Sequence, residues 1–267
     1  MPTPLIVCGA AGRMGRTLIG LIAHNDATEL VGALEAPGHP ALGNDAGEAA
    51  GGGHLGVAVS ADFAALPADA VALDFTNPAA ALEHLRCAAQ RRSPIVIGAT
   101  GFSPEQEAEM ERLAPLTRCV VAPNMSVGIA VLQRLVREAA GALGADFDPE
   151  IVEMHHRMKV DAPSGTALAL GRTLAAATAR TLAADAVFGR QGNVGQRRPN
   201  EIGIMALRGG DVVGDHTVIF AGLGERIELT HRAQSRDCLA RGAIRAALWL
   251  ARQPAGRYGM ADVLGFG

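Results

Sequence analysis

Lysine is nearly absent from this sequence. Lys159 is the only lysine among 267 residues, so arginine occupies every other Lys/Arg position. An arginine stays charged in any protein environment, whereas a lysine ammonium is compact and can release its proton when it loses water. Lys159 is therefore a candidate for proton chemistry, although arginine-biased codon usage explains a single lysine equally well when that residue is taken alone.

The sequence also has few cysteines and no long apolar run, and these two features exclude several classes of protein. The four cysteines lie far apart and form no Cys-x-x-Cys or Cys/His cluster, so we expect neither a metal site nor a redox pair. No apolar run reaches the roughly 18 residues that span a bilayer, and the N-terminus lacks signal-peptide features. A net charge of −3 without a basic stripe argues against nucleic acid. We therefore expect a cytoplasmic protein with no membrane or nucleic-acid partner.

Short apolar runs alternate with amphipathic segments over the first 125 residues. Strands that alternate with helices indicate an α/β domain with a Rossmann-like, doubly wound parallel sheet. The predicted strands are 5–8, 29–34, 57–59, 70–73, 95–97 and 119–121, the helices are 13–23, 78–92 and 103–116, and a loop is predicted at 37–53.

The pattern changes after residue 125. No helix separates the last three predicted strands, and Gly/Asp turns join them, so we expect successive antiparallel pairing in a second, α+β domain with a mixed or antiparallel sheet. The predicted helices here are 127–143, 164–177 and 238–251, the strands are 151–154, 202–207, 216–220 and 226–230, and a loop is predicted at 188–200. With the last helix returning to the first sheet, the domains are 1–125 with 238–267, and 126–237.

A glycine-rich motif follows the first strand and opens the first helix, with the sequence Gly9-Ala10-Ala11-Gly12-Arg13-Met14-Gly15. Such glycines permit a tight turn and let backbone N–H groups approach a pyrophosphate at a helix N-terminus. Glu35 ends the second strand about 20 residues after Gly15, where a dinucleotide fingerprint has the carboxylate that accepts hydrogen bonds from ribose hydroxyls. A structural turn beside a solvated glutamate is the less favoured alternative.

The residue that follows Glu35 bears on the choice of cofactor. Glu35 repels a 2′-phosphate, and Ala36 stands where an arginine could receive one. NADH is therefore favoured, while Arg13 and Arg16 are near enough in sequence to keep NADPH as an alternative.

Further loops are predicted at the carboxyl ends of strands, where open α/β sheets bind ligands. Residues 98–101 and 122–126 are the stronger candidates, and residues 74–76 are a weaker one. Ordinary turn chemistry is the alternative for all of them, because Gly, Pro and Asn favour turns for conformational reasons alone.

Groups that titrate or donate protons near neutral pH directly precede a predicted helix start in the second region. These groups are His155, His156 and Lys159. Ser164 follows as the predicted N-cap of a helix whose first N–H groups can bind a carboxylate or phosphate. A capped helix with water at its N-terminus is the simpler alternative for the helix start. A metal is disfavoured because the histidine pair offers few ligands and a lysine is a poor neighbour for a cation.

Along essentially its whole length, the chain resembles the dihydrodipicolinate reductase (4-hydroxy-tetrahydrodipicolinate reductase) family. The segment from Glu153 to Leu168, with its histidine pair, lysine and Asp-Ala-Pro-Ser-Gly-Thr-Ala run, carries most of the resemblance. The other matching segments are residues 9–15, 98–101, 123–128, 208–216 and 224–231.

This resemblance implies a reductase that transfers a hydride from NADH or NADPH to a cyclic dicarboxylate, in lysine and diaminopimelate biosynthesis. It also implies a homotetramer built through the sheet of the second, substrate-binding domain. His155 would donate or accept a proton, Lys159 would donate one, and His156, Gly165 and Thr166 would bind substrate carboxylates. The implied cofactor-binding residues are Gly9, Ala10, Ala11, Gly12, Arg13, Met14, Glu35, Gly98, Ala99, Thr100, Ala122, Pro123, Asn124 and Met125.

Two other functions are compatible with the same fold, since a fold alone does not establish an activity. One is a non-catalytic protein that binds and responds to NAD. The other is a dehydrogenase with a different substrate, similar to aspartate or homoserine dehydrogenases. The second ranks lower because it gives no reason for two carboxylate-binding groups beside a lysine.

Overall fold

A computed structural model describes residues 1–266. The chain divides into two compact units, which are described separately. Unit 1 comprises Met1–Val127 and the C-terminal segment from Asp237, and unit 2 comprises Gly128–Arg236. No helix within residues 1–266 combines the length and the apolar character needed to cross a bilayer.

The helices and strands are numbered in chain order. The helices are α1 (Arg13–Ala23), α2 (Ala46–Ala49), α3 (Pro78–Arg91), α4 (Pro104–Leu113), α5 (Val127–Leu143), α6 (Gly165–Ala177), α7 (Leu182–Asp185), α8 (Asp237–Leu250) and α9 (Met260–Val263). The strands are β1 (Thr3–Cys8), β2 (Thr28–Leu34), β3 (Val59–Ser60), β4 (Val71–Asp74), β5 (Ile95–Ile97), β6 (Arg118–Val121), β7 (Asp148–His155), β8 (Ala186–Val187), β9 (Ile202–Arg208), β10 (Gly214–Ala221), β11 (Arg226–Ala233) and β12 (Gly256–Tyr258). The longer predicted helices are present, with ends that shift by at most three residues.

Unit 1 contains a seven-stranded sheet in the order β12-β6-β5-β4-β1-β2-β3, and its neighbouring strands all pair in parallel. The middle strands are almost continuously apolar because helices cover both faces of the sheet. On one face, Ile6 and Cys8 join a core with residues of α3 and α4. α1 packs against α8, and α8 also contacts β4, β5 and β6. The predicted doubly wound parallel sheet is therefore confirmed.

The seventh strand, β12, was not predicted. It pairs with β6 and has no apolar run of its own, because only three residues, Gly256, Arg257 and Tyr258, take part. The helix before it, α8, packs closely on the backbone that follows β6: a Cβ built on Gly242 would lie 1.7 Å from the carbonyl oxygen of Met125. The absence of a side chain at Gly242 therefore permits this close approach.

The predicted loop at 37–53 contains one short helix, α2, that the prediction missed. Asp45 caps it and also accepts hydrogen bonds from the backbone N–H groups of Leu55, Gly56 and Val57. Burial opposes ionisation of this carboxyl, but the N–H donors outweigh that effect and hold the pKa of Asp45 at about 2. A single charged side chain thus organises a segment whose composition indicates only a loop.

Unit 2 contains a mixed five-stranded sheet in the order β11-β10-β7-β9-β8. The prediction that the last three strands pair in succession is wrong for the first pair. β10 and β11 are antiparallel neighbours, but β7 lies between β9 and β10, parallel to β9 and antiparallel to β10. The β9–β10 connection crosses the end of β7, where Gly209 N–H donates to the His155 carbonyl and Arg157 N–H donates to the Gly210 carbonyl.

Helices cover one face of this second sheet. Ile151 of β7 and Val218 of β10 pack there with Val136 of α5 and Leu170 of α6. Because side chains alternate along a strand, Glu153 and His155 of β7 lie on this same, helix-covered side. The sequence pattern of β7 therefore places charged and titratable groups at inward-facing positions.

We expect the substitution Gly242→Ala to destabilise the protein strongly. The new methyl group would overlap the Met125 carbonyl, and backbone atoms have to move to admit it. Such overpacking costs about 1–3 kcal/mol or more of the free energy of unfolding, measurable by urea denaturation.

The matched control is Gly20→Ala in α1, where a built Cβ meets no atom within 4 Å. This substitution should raise the free energy of unfolding by up to about 1 kcal/mol, because alanine favours a helix interior over glycine. Equal effects at the two positions would contradict the close approach of α8 to residue 125.

Candidate active site

The glycine-rich turn of unit 1 depends on close backbone approaches. Gly9 has a φ of +73°, which favours glycine, and the N–H groups of Gly9 and Ala10 both donate to the Leu34 carbonyl. A Cβ on Gly15 would lie 2.1 Å from the Gly9 carbonyl oxygen, so this last glycine lets α1 pack on the turn. Gly12 caps α1 without any side-chain hydrogen bond. The first turn of α1 can therefore present its backbone N–H groups to an anion.

Glu35 lies directly beside this turn, as the spacing predicts. Its Oε1 accepts a hydrogen bond from Ala11 N–H at 2.8 Å, and its Oε2 accepts one from Ala36 N–H at 3.1 Å. The carboxylate is partly buried at the end of β2. Its position suits an acceptor for ribose hydroxyls next to a bound pyrophosphate.

A cavity of about 620 Å³ opens beside Gly9, Gly12 and Glu35. Two of the residues that line it, Phe75 and Thr76, belong to the loop that the sequence ranked as the weakest candidate. Other lining residues were not predicted: Ala61, Asp62, Phe63 and Ala64 follow β3, and Asn77, Ala80, Glu83, His84 and Cys87 lie at or within α3. Its volume falls in the range of small-molecule and cofactor pockets.

At the cavity wall, His84 pairs with the fully buried Asp74 through a 2.6 Å contact between Nδ1 and Oδ2. The other oxygen of Asp74 accepts hydrogen bonds from the backbone N–H and the hydroxyl of Thr76. Ligand atoms of Cys8, Asp74 and His84 lie within 4.8 Å of one another, a grouping that the spacing of the cysteines does not reveal.

The chemistry of this group does not favour a metal. Burial, reinforced by the negative charges of Asp74 and Glu35, raises the pKa of the Cys8 thiol well above its usual range. A metal prefers the thiolate, and both Asp74 oxygens already accept hydrogen bonds. The expectation of no metal stays a prediction.

The two other predicted cofactor loops follow neighbouring strands β5 and β6. Ala99, Thr100 and Pro123 line a common cavity of about 310 Å³. Gly98 packs under Phe75, whose ring would lie 2.3 Å from a Cβ at that position. Thr100 and Pro123 are exposed and Asn124 is half-buried, whereas the other predicted positions of these loops, Ala99, Ala122 and Met125, are buried. The buried residues can shape the loops and offer backbone groups, but their side chains have little exposed surface.

In unit 2, His155 ends β7 and contacts a buried acid that the prediction missed. His155 Nδ1 lies 2.6 Å from Oε2 of Glu153, whose side chain has no exposed surface. Arg208 of β9 donates to both oxygens of Glu153, at 2.8 and 2.9 Å. Burial opposes ionisation of Glu153, but the guanidinium of Arg208 and the donor at His155 hold its pKa below the usual range.

Lys159 is bound by another residue that was not predicted, Asp161. Its Nζ donates to both carboxylate oxygens of Asp161, at 2.7 and 2.8 Å, and the lysine side chain is 19 % exposed. The pKa of Asp161 is lowered mainly by this hydrogen bond. Arg208 also donates to the Asp161 carbonyl at 2.7 Å. Arg208 therefore contacts both Glu153 and the partner of Lys159.

The predicted N-cap of α6 is confirmed. The Ser164 hydroxyl accepts a hydrogen bond from Ala167 N–H and lies 3.1 Å from His216 Nε2. The next residue, Gly165, is exposed, and a Cβ built on it meets no atom within 4 Å. The helix start is thus open at Gly165, while the capping residue Ser164 is buried and contacts His216.

The predicted polar groups therefore lie in a short stretch from the end of β7 to the start of α6. His156 and Thr166 are half-buried, and the His156 carbonyl accepts the backbone N–H of Lys159. The sequence did hold a signal for the missed acid, because Glu153 is a charge at an inward-facing position of a strand. Arg208 and His216 lie more than 50 residues further along the chain, and only the sheet topology brings them close.

Known proteins match both units. The family model described as "Dihydrodipicolinate reductase, N-terminus" matches residues 3–125, and that described as "Dihydrodipicolinate reductase, C-terminus" matches residues 128–264. Two relatives named 4-hydroxy-tetrahydrodipicolinate reductase are 54 % identical over 97 % of both chains (Syntrophobacter fumaroxidans) and 50 % identical over 98 % of both chains (Pelobacter propionicus).

A solved structure is also similar over almost the full length. It is a dipicolinate-bound dihydrodipicolinate reductase from Paenisporosarcina sp. TG-14, with 25 % identity and a TM-score of 0.76, covering 98 % of this chain and 99 % of that one. Since both family models and full-length relatives agree, the chain belongs to the dihydrodipicolinate reductase family and is a nicotinamide-nucleotide-dependent reductase.

Proposed function

We propose that this chain reduces 4-hydroxy-tetrahydrodipicolinate, a cyclic dicarboxylate, to tetrahydrodipicolinate in lysine and diaminopimelate biosynthesis. The observation that carries the proposal is one short segment, from the end of β7 to the start of α6, that contains His155, Lys159 and the open helix start at Gly165. Proton donors beside an anion-binding helix end suit a reaction in which a hydride adds to a ring that carries carboxylates. The names of the relatives support the same reaction.

Unit 1 has the features that a nicotinamide dinucleotide requires. The turn at Gly9 and Gly15 leaves room for a pyrophosphate against backbone N–H groups, and Glu35 offers its carboxylate to a ribose. When bound, the dinucleotide supplies the hydride. The predicted loops at residues 98–100 and 122–125 would hold the remainder of the cofactor through their exposed residues and backbone groups.

Unit 2 supplies the groups that bind the dicarboxylate and move protons. The N–H of the exposed residue Gly165, together with Thr166 and His156, would bind the substrate carboxylates at the positive end of α6. His155 would exchange a proton at the ring Nε2, since its Nδ1 contacts Glu153. Lys159 would donate a proton, with Asp161 as its counter-charge.

NADH is the expected cofactor. The cavity beside Glu35 is lined by three carboxylates, Glu35, Asp62 and Glu83, and by no lysine or arginine among the residues described. The 2′-phosphate of NADPH would find no cationic side chain among the residues that line this cavity. The ribose hydroxyls of NADH, in contrast, can donate hydrogen bonds to Glu35.

We therefore expect the KM for NADPH to exceed that for NADH by at least about tenfold, which corresponds to 1.4 kcal/mol. Replacing Ala36 with arginine should narrow or reverse this ratio by offering a partner to the phosphate. Absorbance assays at the nicotinamide band with both cofactors measure the ratio. Glu29→Gln, an exposed carboxylate of β2 away from the cavity lining, is the control. A wild-type preference for NADPH would contradict the role given to Glu35.

Lys159→Arg tests proton donation apart from charge. Arginine can still pair with Asp161 but does not release a proton at neutral pH, so kcat should fall by about 10²-fold or more. The dissociation constant for NADH, measured by fluorescence, should stay unchanged because the glycine-rich turn belongs to unit 1.

The matched control for Lys159 is Arg157→Ala, which removes an exposed cation two residues away. This variant should keep most of the turnover. If Lys159→Arg retained full activity, or lost NADH affinity and turnover equally, Lys159 would not be the proton donor.

A homotetramer assembled through unit 2 completes the proposal. α5 and α6 pack on one face of its sheet, and the opposite face carries apolar side chains that are half-buried or exposed in the single chain. They are Val152, Met154, Met205, Leu207 and Ile219. An apolar face of this kind is typical of an interface between identical subunits.

Ile219→Asp should therefore weaken the assembly, because it replaces one of the apolar side chains of this face with a charge. Light scattering coupled to size exclusion should give about four times 27.5 kDa for the wild type and a smaller mass for the variant. Ile227→Asp, on a neighbouring strand but on the other face, is the control and should leave the mass unchanged. A monomeric wild type would disprove the assembly.

A further inference from the structure

One buried carboxylate holds together the separate parts of the unit 2 site. Oε1 of Glu153 accepts from Ser164 N–H at 3.0 Å and from Arg208 Nη2 at 2.9 Å. Oε2 lies 2.8 Å from Arg208 Nη1 and 2.6 Å from His155 Nδ1. The residues around it come from β7, from the start of α6 and from β9.

We propose that Glu153 is a positioning residue that fixes the tautomer of His155, so that Nδ1 always carries a proton and Nε2 is the atom that exchanges one with the substrate. This inference rests on the proposed role of His155 in the reductase reaction. It assigns to Glu153 a function that acts through His155, because the Glu153 side chain has no exposed surface with which to contact a substrate.

The tautomer follows from what Glu153 can accept. The Ser164 N–H and the two guanidinium N–H groups are donors under all conditions, so three of its four contacts require acceptor oxygens. The hydrogen bonds from Arg208 and His155 also lower the pKa of Glu153 against the opposing effect of burial, which keeps it an ionised acceptor. An ionised carboxylate 2.6 Å from Nδ1 requires a proton on that nitrogen.

The Nε2 side of the His155 ring lies beside Gly214, which has no side chain. A Cβ built on Gly214, the first residue of β10, would lie 3.0 Å from that nitrogen, so this glycine leaves space beside it. The His216 ring packs edge-on against His155 with 5.1 Å between ring centroids. Burial, followed by the charge of His155, lowers the pKa of His216 to about 4, so His216 stays neutral beside its neighbour.

Glu153 also reaches the second proton donor and the anion-binding helix. Arg208, held by Glu153, donates to the Asp161 carbonyl, and the Asp161 carboxylate holds Lys159. Ser164, whose N–H donates to Glu153, is the N-cap of α6. The distances between His155, Lys159 and Gly165 therefore depend on one side chain, which is the arrangement that precise placement of catalytic groups requires.

A purely structural ion pair is the competing explanation, and the tautomer separates the two. Histidine-selective ¹⁵N labelling and solid-state NMR of the full-length protein report which ring nitrogen carries the proton, and the His155 signal is assigned by its loss in His155→Gln. For the wild type, at a pH where His155 is neutral, we expect protonated Nδ1 and unprotonated Nε2. A wild-type His155 protonated at Nε2 alone would overturn the proposal without any variant having to fold.

The variant arm uses Glu153→Gln, with Glu150→Gln as its control. Both glutamates belong to β7 and both pair with arginine, but Glu150 binds Arg190 and Arg197 and does not contact His155. The glutamine amide can donate to Nδ1, so the proton of His155 should move at least partly to Nε2 and kcat should fall by about tenfold or more. The KM for NADH should not change. Glu150→Gln should leave the tautomer and kcat as in the wild type.

The outcomes distinguish failure of the inference from failure of the proposed function. An active enzyme in which Glu153→Gln keeps both the tautomer and kcat would refute the role of Glu153 alone. A wild type that shows the expected tautomer but no turnover of the dicarboxylate would refute the reductase assignment and leave the hydrogen-bond geometry intact. Equal losses in the Glu153 and Glu150 variants would support the structural explanation.

Discussion

The site in unit 2 depends on the desolvated negative charge of one carboxylate, Glu153. A carboxylate without exposed surface is costly unless donors replace its hydration, and Glu153 receives them from a backbone N–H, a guanidinium and an imidazole. Those donors come from β7 itself, from the start of α6 and from the neighbouring strand β9, so the strand order that places β9 beside β7 also gives the buried charge its guanidinium partner. If β9 paired with β10, as the sequence predicts, Arg208 would no longer lie beside Glu153.

Unit 1 fixes the positions of its candidate site residues in a different way. Its glycine-rich turn depends on the absence of side chains: Gly9 adopts a positive φ, and Gly15 leaves space for a backbone carbonyl. The one side chain that matters locally, Glu35, binds backbone N–H groups of the turn and the strand end. Positions set by the backbone are hard to shift, which suits the dinucleotide site proposed at this turn.

The sequence predicts most of unit 1 because its signals are local. Gly15 and Glu35 are about 20 residues apart, and each strand-to-helix step is visible in a short window. The prediction failed where contacts are distant. β12 joins β6 across more than 130 residues, and β7 separates β9 from β10 although it precedes them by about 50 and 60 residues. The helix cap at Ser164 was predictable, whereas its contact with His216 was not.

The ion pair between Lys159 and Asp161 bears on why the chain has a lysine at this position when arginine is its usual basic residue. Asp161 offers two oxygens to the ammonium, and a guanidinium would match a carboxylate at least as well through paired hydrogen bonds. Arginine fills that role at Arg208, at Arg190 and at Arg197, all of which bind carboxylates in unit 2. Counter-charge therefore gives no reason for a lysine at residue 159. What a lysine adds is an amine that can give up its proton, and this property is useful only where a reaction consumes one.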